Sequence, residues 1–439
     1  MDDKNSLIQR DLSGGIGLFG AAANPSGQVI NVKDYPKEEG ETTDSPAIKR
    51  ALADADIQKC PVFFPAGTYI IDQTILIPEY VSIYGVGYHS KILASKNGIK
   101  PDPDEGTKYL KPDKDGNYPM IKFSIKNTKD IKNISGNRYG VMSQLFVDGA
   151  GVAKVGVDLA YVTVERTFMA IEIENVNGPA IRLDASQNNT FISVNIEKCR
   201  KGIELLNGAG NNAFYRCEIN ESTEAGIEIG ANKNLYGYKN NAYSDTPEGN
   251  DFQKCIVERG SARYGIKIIN GKRNTFWNCD VTTGDVAKVY IEDKTTVENE
   301  VVRSSSLNSF YRCQFVGSKE KAILAFDSRA FRTVIEDCIF EGFIPGSEII
   351  HVYNETHIRN NHFAKDFGDP DHKIVNKAGS NNYNVIFQPI VNRGSTKLRP
   401  KYHHMGAGVY YFDTDMGKPL FLKDSQGAPV WVDGTGAEK

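Results

Sequence analysis

One hexapeptide recurs along the middle of this chain and limits what it can fold into. Asn-x-Phe-x-x-Cys stands at Asn212–Cys217, Asn250–Cys255, Asn274–Cys279 and Asn308–Cys313. A looser copy ends at Cys338, with Ile335 in the Phe place. Another begins at Asn189, with Phe191 in register and Val194 where the others have Cys. The step is 23 residues from Val194 to Cys217, 24 from Cys255 to Cys279 and 25 from Cys313 to Cys338. Two longer steps, 38 from Cys217 to Cys255 and 34 from Cys279 to Cys313, place insertions in 234–248 and 297–307. A period in the low twenties built from short strands is a solenoid repeat, in which each coil buries its apolar face only against its neighbours.

A second run follows each Cys: Gly202-Ile-Glu-Leu-Leu206, Gly226-Ile-Glu-Ile229, Gly265-Ile-Lys-Ile-Ile269 and Lys288-Val-Tyr-Ile291. Apolar and polar residues alternate with period two, so these are strands with one buried face. Val155-Gly-Val-Asp-Leu159, Ala170-Ile-Glu-Ile173 and Ala180-Ile-Arg-Leu183 extend the same series. The expected fold is all-β, a right-handed parallel β-helix. Of the seven cysteines, five share one inward position and no Cys-x-x-Cys pair occurs. They read as a column of small buried side chains rather than a metal or redox centre.

Ahead of the repeats, Thr43 or Asp44 caps a short helix, with Pro46 in its first turn and Ile48, Ala51, Leu52 and Ala55 as its apolar stripe. A helix there closes the end of a solenoid that would otherwise expose its core. The expected domains are an N-terminal arm (1–30), the β-helix (31–364), a connector (365–404) and a small C-terminal β-module (405–439). Residues 95–120 leave the early coils as a polar excursion. Gly15-Ile-Gly-Leu-Phe-Gly20 matches a dinucleotide-binding pattern, but no strand precedes it and Pro25 follows where a helix is required. A net charge of −3 gives no electrostatic case for nucleic acid or an anionic membrane. No apolar run is long enough to insert in a membrane, and Met1-Asp-Asp-Lys lacks the basic and apolar regions of a secretory signal.

Three stretches carry a family resemblance: Thr43-Asp44 with Ala47-Ile48, then Phe63-Phe-Pro-Ala-Gly-Thr-Tyr-Ile-Ile71, then Val81-Ser-Ile-Tyr-Gly-Val-Gly87. In order and spacing this resembles the opening of the pectate-lyase-like superfamily, and more narrowly phage tailspikes and polysaccharide depolymerases. Gln9–Gly20 is similar to the lead-in of such tailspikes, and Gly408–Leu420 with Pro429–Asp433 to a short closing element of phage tail proteins. The resemblance implies a homotrimer on a virion or prophage tail. It would be held to a tail or baseplate protein through its N-terminus, and would bind and cut a bacterial capsule or O-antigen polysaccharide.

Candidate chemistry follows from the stacking. The position after the Cys reads Asn195, Glu218, Ile256, Asp280, Gln314, Ile339. Glu218 and Asp280 are two coils apart, so their backbones lie about 9.6 Å apart, near the separation of an inverting glycosidase pair. Glu258 lies on the coil between them, and the two insertions would wall the groove. Tyr215, Arg216, Trp277, Tyr311 and Arg312 precede the Cys at outward places, and Tyr290 lies on the second strand. Aromatic faces suit sugar rings, and arginine suits an acidic glycan.

The catalytic candidates are therefore Asp280, Glu218 and Glu258, with the three tyrosines, Trp277 and the two arginines as substrate contacts. No metal or cofactor is expected: there is no calcium-binding Asp run, and the His spacing does not suit zinc. A second column, Asp158, Glu172, Arg182, Glu204, Glu228, Lys267 and Tyr290, puts Glu204 and Glu228 on adjacent coils about 4.8 Å apart, near the separation of a retaining pair, but reads rather as a charge ladder on a solvent or intersubunit face. Hydrolysis by two carboxylates is the leading chemistry. β-Elimination and catalysis-free adhesion are the alternatives.

Overall fold

The computed structural model describes residues 27–100, 116–123, 137–160, 163–231, 246–292, 305–317, 324–326, 332–342, 350–352, 356–363, 374–376, 385–387, 393–394, 410–425 and 428–437. Each coil holds three strands. In one, Ala213–Tyr215 runs to a corner at Arg216, Glu218–Asn220 follows, and a turn leads into Ala225–Ala231. These pair in parallel with Asp251–Gln253, Ile256–Glu258 and Tyr264–Ile268 of the next coil. Among the described residues the third strands form one sheet of 11, and the first two strand positions run together into a sheet of 22.

The corner explains the hexapeptide. Ser193, Arg216, Lys254, Asn278, Arg312 and Asp337 all have φ between 50° and 55°. A single left-handed residue turns the chain and interrupts the two-residue alternation. Tyr215 and Arg216 therefore both face outward, Cys217 returns to the core and Glu218 faces outward again.

Three ladders hold the coils in register. Phe168, Phe191, Phe214, Phe252, Phe276 and Phe310 stack with ring centroids 4.5 to 4.9 Å apart and planes within 10° of parallel. Asn189, Asn212, Asn250, Asn274 and Asn308 form a buried amide ladder, each Nδ2 donating to the Oδ1 of the next at 2.9 to 3.1 Å. Cys217, Cys255, Cys279, Cys313 and Cys338 are buried and unbridged, each with its Sγ against the backbone oxygen of the preceding coil's aromatic residue. Burial pushes the Cys313 thiol well up, so this column is neutral packing material.

At the N-terminal end, α1 (Ser45–Gln58) buries Ala47, Ile48, Ala51, Leu52 and Ala55 as expected. Its cap differs from the expectation. Asp44 is the N-cap residue but makes no side-chain capping bond; its Oδ2 accepts from the Ile70 N–H at 2.7 Å and so ties the helix to the first long strand. The C-terminal module is a meander of Tyr410–Asp413, Lys418–Ser425 and Ala428–Asp433 that buries Leu420 and Trp431. Inside the stretch expected as a connector, Ile374–Asn376 and Val385–Phe387 pair with Ile350–Val352 and Thr356–Ile358, so coils continue past residue 364. The proposed N-terminal arm before residue 27, most of the remaining connector and the Gly15–Gly20 motif lie outside the described residues.

Two expectations about columns are corrected. Ala170–Ile173 does not belong to the third strands. Ala170 is a corner residue with φ 51°, Phe168 joins the Phe stack, and Glu172–Glu174 pairs with Asn195–Glu197. Glu172 therefore heads the column Asn195, Glu218, Ile256, Asp280. The third-strand column reads Lys122, Asp158, Arg182, Glu204, Glu228, Lys267, Tyr290. Its first five members are at most 5% exposed within a single chain, so this part is not a solvent face. Arg182 donates to Asp158 at 2.9 Å, and the Lys201 ammonium joins Glu204 at 2.7 Å and Glu228 at 3.1 Å. Pairing is what makes such buried charge tolerable.

Two predictions follow from these ladders and burials. Asn250→Ala leaves the backbone N–H and Nδ2 of Asn212 without their acceptor, each bonded now at 3.2 and 2.9 Å. At about 1–3 kcal/mol per orphaned buried group, denaturant unfolding should show a loss of about 3 kcal/mol. Burial pushes the Asp184 carboxyl up to about 7, with Asn207 holding only Oδ1. The raised value contributes stability that is complete below about pH 4 and is lost as pH rises through about 7. Asp184→Asn should remove that slope and unfold at higher temperature than the parent at pH 8, with little difference at pH 4.

Candidate functional site

The corner places a band of outward side chains along one edge of the solenoid. Before the corner stand Tyr215, Gln253, Trp277 and Tyr311, one per coil. At the corner stand Arg216, Lys254, Asn278 and Arg312. After it stand Glu218, Ile256, Asp280 and Gln314. The structure thus brings together eight of the nine expected site residues. Glu218 and Asp280 share one column with Ile256 between them, and Glu258 lies two residues beyond Ile256 on the same strand. The exception is Tyr290, which lies on the third-strand sheet and stacks on Tyr264 at 5.0 Å. The insertions expected to wall the groove fall mostly in 232–245 and 293–304, outside the described residues.

Trp277 is 38% exposed, whereas its neighbour Phe276 is fully buried. Tyr311 lies against it at 5.3 Å, and the Arg312 guanidinium sits 5.4 Å from its ring centre. Arg216 and Lys254 flank the Tyr215 ring at 5.3 and 5.7 Å. Flat apolar surface beside fixed cations suits a sugar face that carries an anionic group nearby. Asp280 is half-buried. Burial first, with smaller contributions from Cys279 and then the Glu258 carboxylate, raises its carboxyl above the ordinary range. Glu218 accepts from the Asn220 amide at 2.8 Å. Glu258 pairs with Arg259 at 3.1 Å.

Sequence reasoning missed a concave site four coils up the same column. The strand Ile83–Ala94 pairs with Val141–Asp148 through two register shifts, and the intervening residues swing out over the face. Gly85 allows this: a Cβ there would stand 2.5 Å from the Ser90 Cβ and 2.6 Å from the Gln144 oxygen. Val86, Tyr88, Leu145, Ile171, Glu172 and Asn195 help to line a cavity of about 550 Å3. The Tyr88 hydroxyl donates to Glu172 at 2.7 Å, and the Asn195 amide donates to its other oxygen at 2.9 Å. Glu174 and Glu197 stand beside it, the three carboxylates within 4.8 Å of one another. Among the described residues, this is the set that could share a cation. Burial raises both Glu172 and Glu174. The signal for Glu172 was present, since Thr167-Phe-Met-Ala-Ile-Glu172 is a further copy of the repeat with Ile171 in the Cys place. Tyr88 follows no repeat and gave none.

The sequence profile of the rhamnogalacturonase A/epimerase, pectate-lyase-like family matches residues 29–137, and that of the right-handed β-helix region matches 147–302 and 180–363. The chain is a right-handed parallel β-helix whose first coils match a pectate-lyase-like family. Solved structures share this β-helix at low identity. ORF18 of Geobacillus virus E2 is 15% identical, with 98% of this chain and 90% of that one covered and a TM-score of 0.52. The DFA-IIIase of Arthrobacter chlorophenolicus A6, without its lid and in complex with GF2, is 10% identical, covering 86% and 97% with a TM-score of 0.55. The tailspike gp49 of Acinetobacter baumannii bacteriophage Fri1, a capsular polysaccharide depolymerase, is 10% identical, covering 76% and 62% with a TM-score of 0.48. No curated protein matches in sequence. At these identities the likeness is one of fold.

One measurement checks the electrostatics of the band. In Glu258→Gln, carbon-13 titration of the Asp280 carboxyl should move to lower pH, because the like charge that helps raise it is gone.

Proposed function

We propose that this β-helix is a tailspike subunit of a phage or prophage that binds a bacterial surface polysaccharide, capsule or O-antigen, and hydrolyses it with two carboxylates. The observation that carries the reading is the alignment of Trp277, Tyr311 and Tyr215 in one column, beside cations at the corner and Asp280 and Glu218 in the next column. The aromatic faces bind sugar rings, and Arg216 and Arg312 hold an acidic substituent. Asp280, whose environment favours the protonated form, gives its proton to the glycosidic oxygen. Glu218, about 9.6 Å away along the backbone stack, activates water from the other side of the ring. Glu258 adds a like charge that favours the protonated form of Asp280. The homotrimer and the N-terminal attachment to a tail rest on the sequence resemblance alone.

Purified protein incubated with candidate host polysaccharides, followed by sizing of the products, tests the reading. Shortened chains with new reducing ends are expected. Asp280→Asn should lower the rate by about 100- to 10,000-fold, the usual range for losing a general acid, while polysaccharide binding survives. Intact chains would leave an adhesin, and ultraviolet absorbance from an unsaturated uronate would replace hydrolysis with elimination. If Asp280→Asn cuts at the parent rate, the site assignment fails.

A further inference from the structure

The cavity under Tyr88 has a chemistry opposite to that of the Trp277 band. Around Trp277 and Tyr215 the charged neighbours of the rings are cationic. Around Tyr88 they are acceptors and acids. Glu172 is 7% exposed and already takes two hydrogen bonds, one from Tyr88 and one from Asn195. The remaining oxygen of that amide, Asn195 Oδ1, is closed off from solvent and has no partner. Glu174 and Glu197 bring two more carboxylates within 4.8 Å of that of Glu172. The nearby Lys91 is engaged with Asp148 at 2.8 Å, and Lys198 stands 3.8 Å from Glu197. Val86, Leu145 and Ile171 supply an apolar wall. At about 550 Å3 the cavity lies within the range of small-molecule sites, roughly 300–1,000 Å3.

Both sites lie on one line. Glu172, Asn195, Glu218, Ile256 and Asp280 are successive members of one column, four steps and therefore about 19 Å from end to end. A chain molecule running parallel to the solenoid axis meets both.

We propose that the Tyr88–Glu172–Asn195 cavity is a second sugar subsite that takes a ring without a carboxylate, uncharged or amine-bearing, from the same glycan that the Trp277 band holds through an acidic unit. This inference rests on the glycan reading above and narrows its substrate class to a polymer that mixes acidic and non-acidic sugars. The ring's hydroxyl or ammonium donors meet the Glu172 carboxylate, and its carbon face lies on the apolar wall. A uronate would place its charge against three carboxylates, and like charges at that range repel. Burial raises Glu172 and Glu174, and the neighbouring carboxylates add to it.

The test is binding to the full chain by calorimetry, with three defined probes: a glucosamine tetramer, an N-acetylglucosamine tetramer and a galacturonate tetramer. The first or second should bind, and Glu172→Gln and Tyr88→Phe should each weaken that binding about tenfold. Binding of the galacturonate tetramer should be unmoved by either change and lowered by Trp277→Ala. Asp280→Asn should leave the glucosamine-type binding intact, which separates this subsite from the cleavage assignment. Three results overturn the proposal. The glucosamine-type tetramers fail to bind; they bind but ignore both cavity variants; or calcium chloride alone binds in a Glu172-dependent way while no sugar does. If no polysaccharide is cut but the tetramer still binds at the cavity, the hydrolase reading falls and the subsite stands.

Discussion

Everything in this molecule depends on adjacent coils staying in register, and the buried asparagine ladder enforces that most strictly. An amide has a donor and an acceptor on opposite sides. It can repeat indefinitely at the strand spacing only if every coil places the same atom at the same height. A shift of one residue would leave the Nδ2 and Oδ1 of Asn212, Asn250 and Asn274 facing the wrong groups in a dry interior. The phenylalanine stack rewards the same alignment through burial and ring contact, but a hydrophobic ring tolerates sliding better than an amide does. Specificity therefore comes from the ladder, and the bulk of the driving force from Phe168 to Phe310 and the aliphatic residues around them.

The corner residue links this architecture to function. A non-glycine residue in the left-handed region costs about 1–2 kcal/mol, yet Arg216, Lys254, Asn278 and Arg312 all adopt it. What the coil gains is two consecutive outward side chains followed by one inward. A plain strand would present every second residue, while this edge presents Tyr215, Arg216 and Glu218 within four positions. An aromatic platform, a cation and a carboxylate thus come together on the Tyr215–Glu218 coil, and variation of these three places along the axis creates a groove whose charge changes sign from Glu172 to Arg312.

The third-strand sheet uses charge differently. Lys122, Asp158, Arg182, Lys201, Glu204 and Glu228 are buried and interlocked, and their cross-strand spacing alone made Glu204 and Glu228 resemble a retaining glycosidase pair. Lys201 bridges the two, which makes them a structural pair. Alignment of carboxylates in neighbouring coils is therefore weak grounds for catalysis until burial and partners are known. Asp280 differs because no cation among the described residues holds it and it is only half-buried.

The hexapeptide by itself determined the coil period, the Phe and Asn ladders, the inward Cys and the outward neighbours Tyr215, Trp277, Glu218 and Asp280, because a solenoid converts sequence spacing directly into vertical position. The same logic misplaced Ala170–Ile173: its letters match the third-strand pattern, and only the left-handed turn at Ala170 shows that Glu172 belongs above Glu218. It placed Tyr290 at the site because periodicity says which way a side chain points and not which of two sheets it stands on. Only the tertiary structure decided that the charged column is buried and that Tyr88 closes a cavity over Glu172, since spacing does not say what covers a face and Tyr88 arrives on a bulged strand outside the repeat.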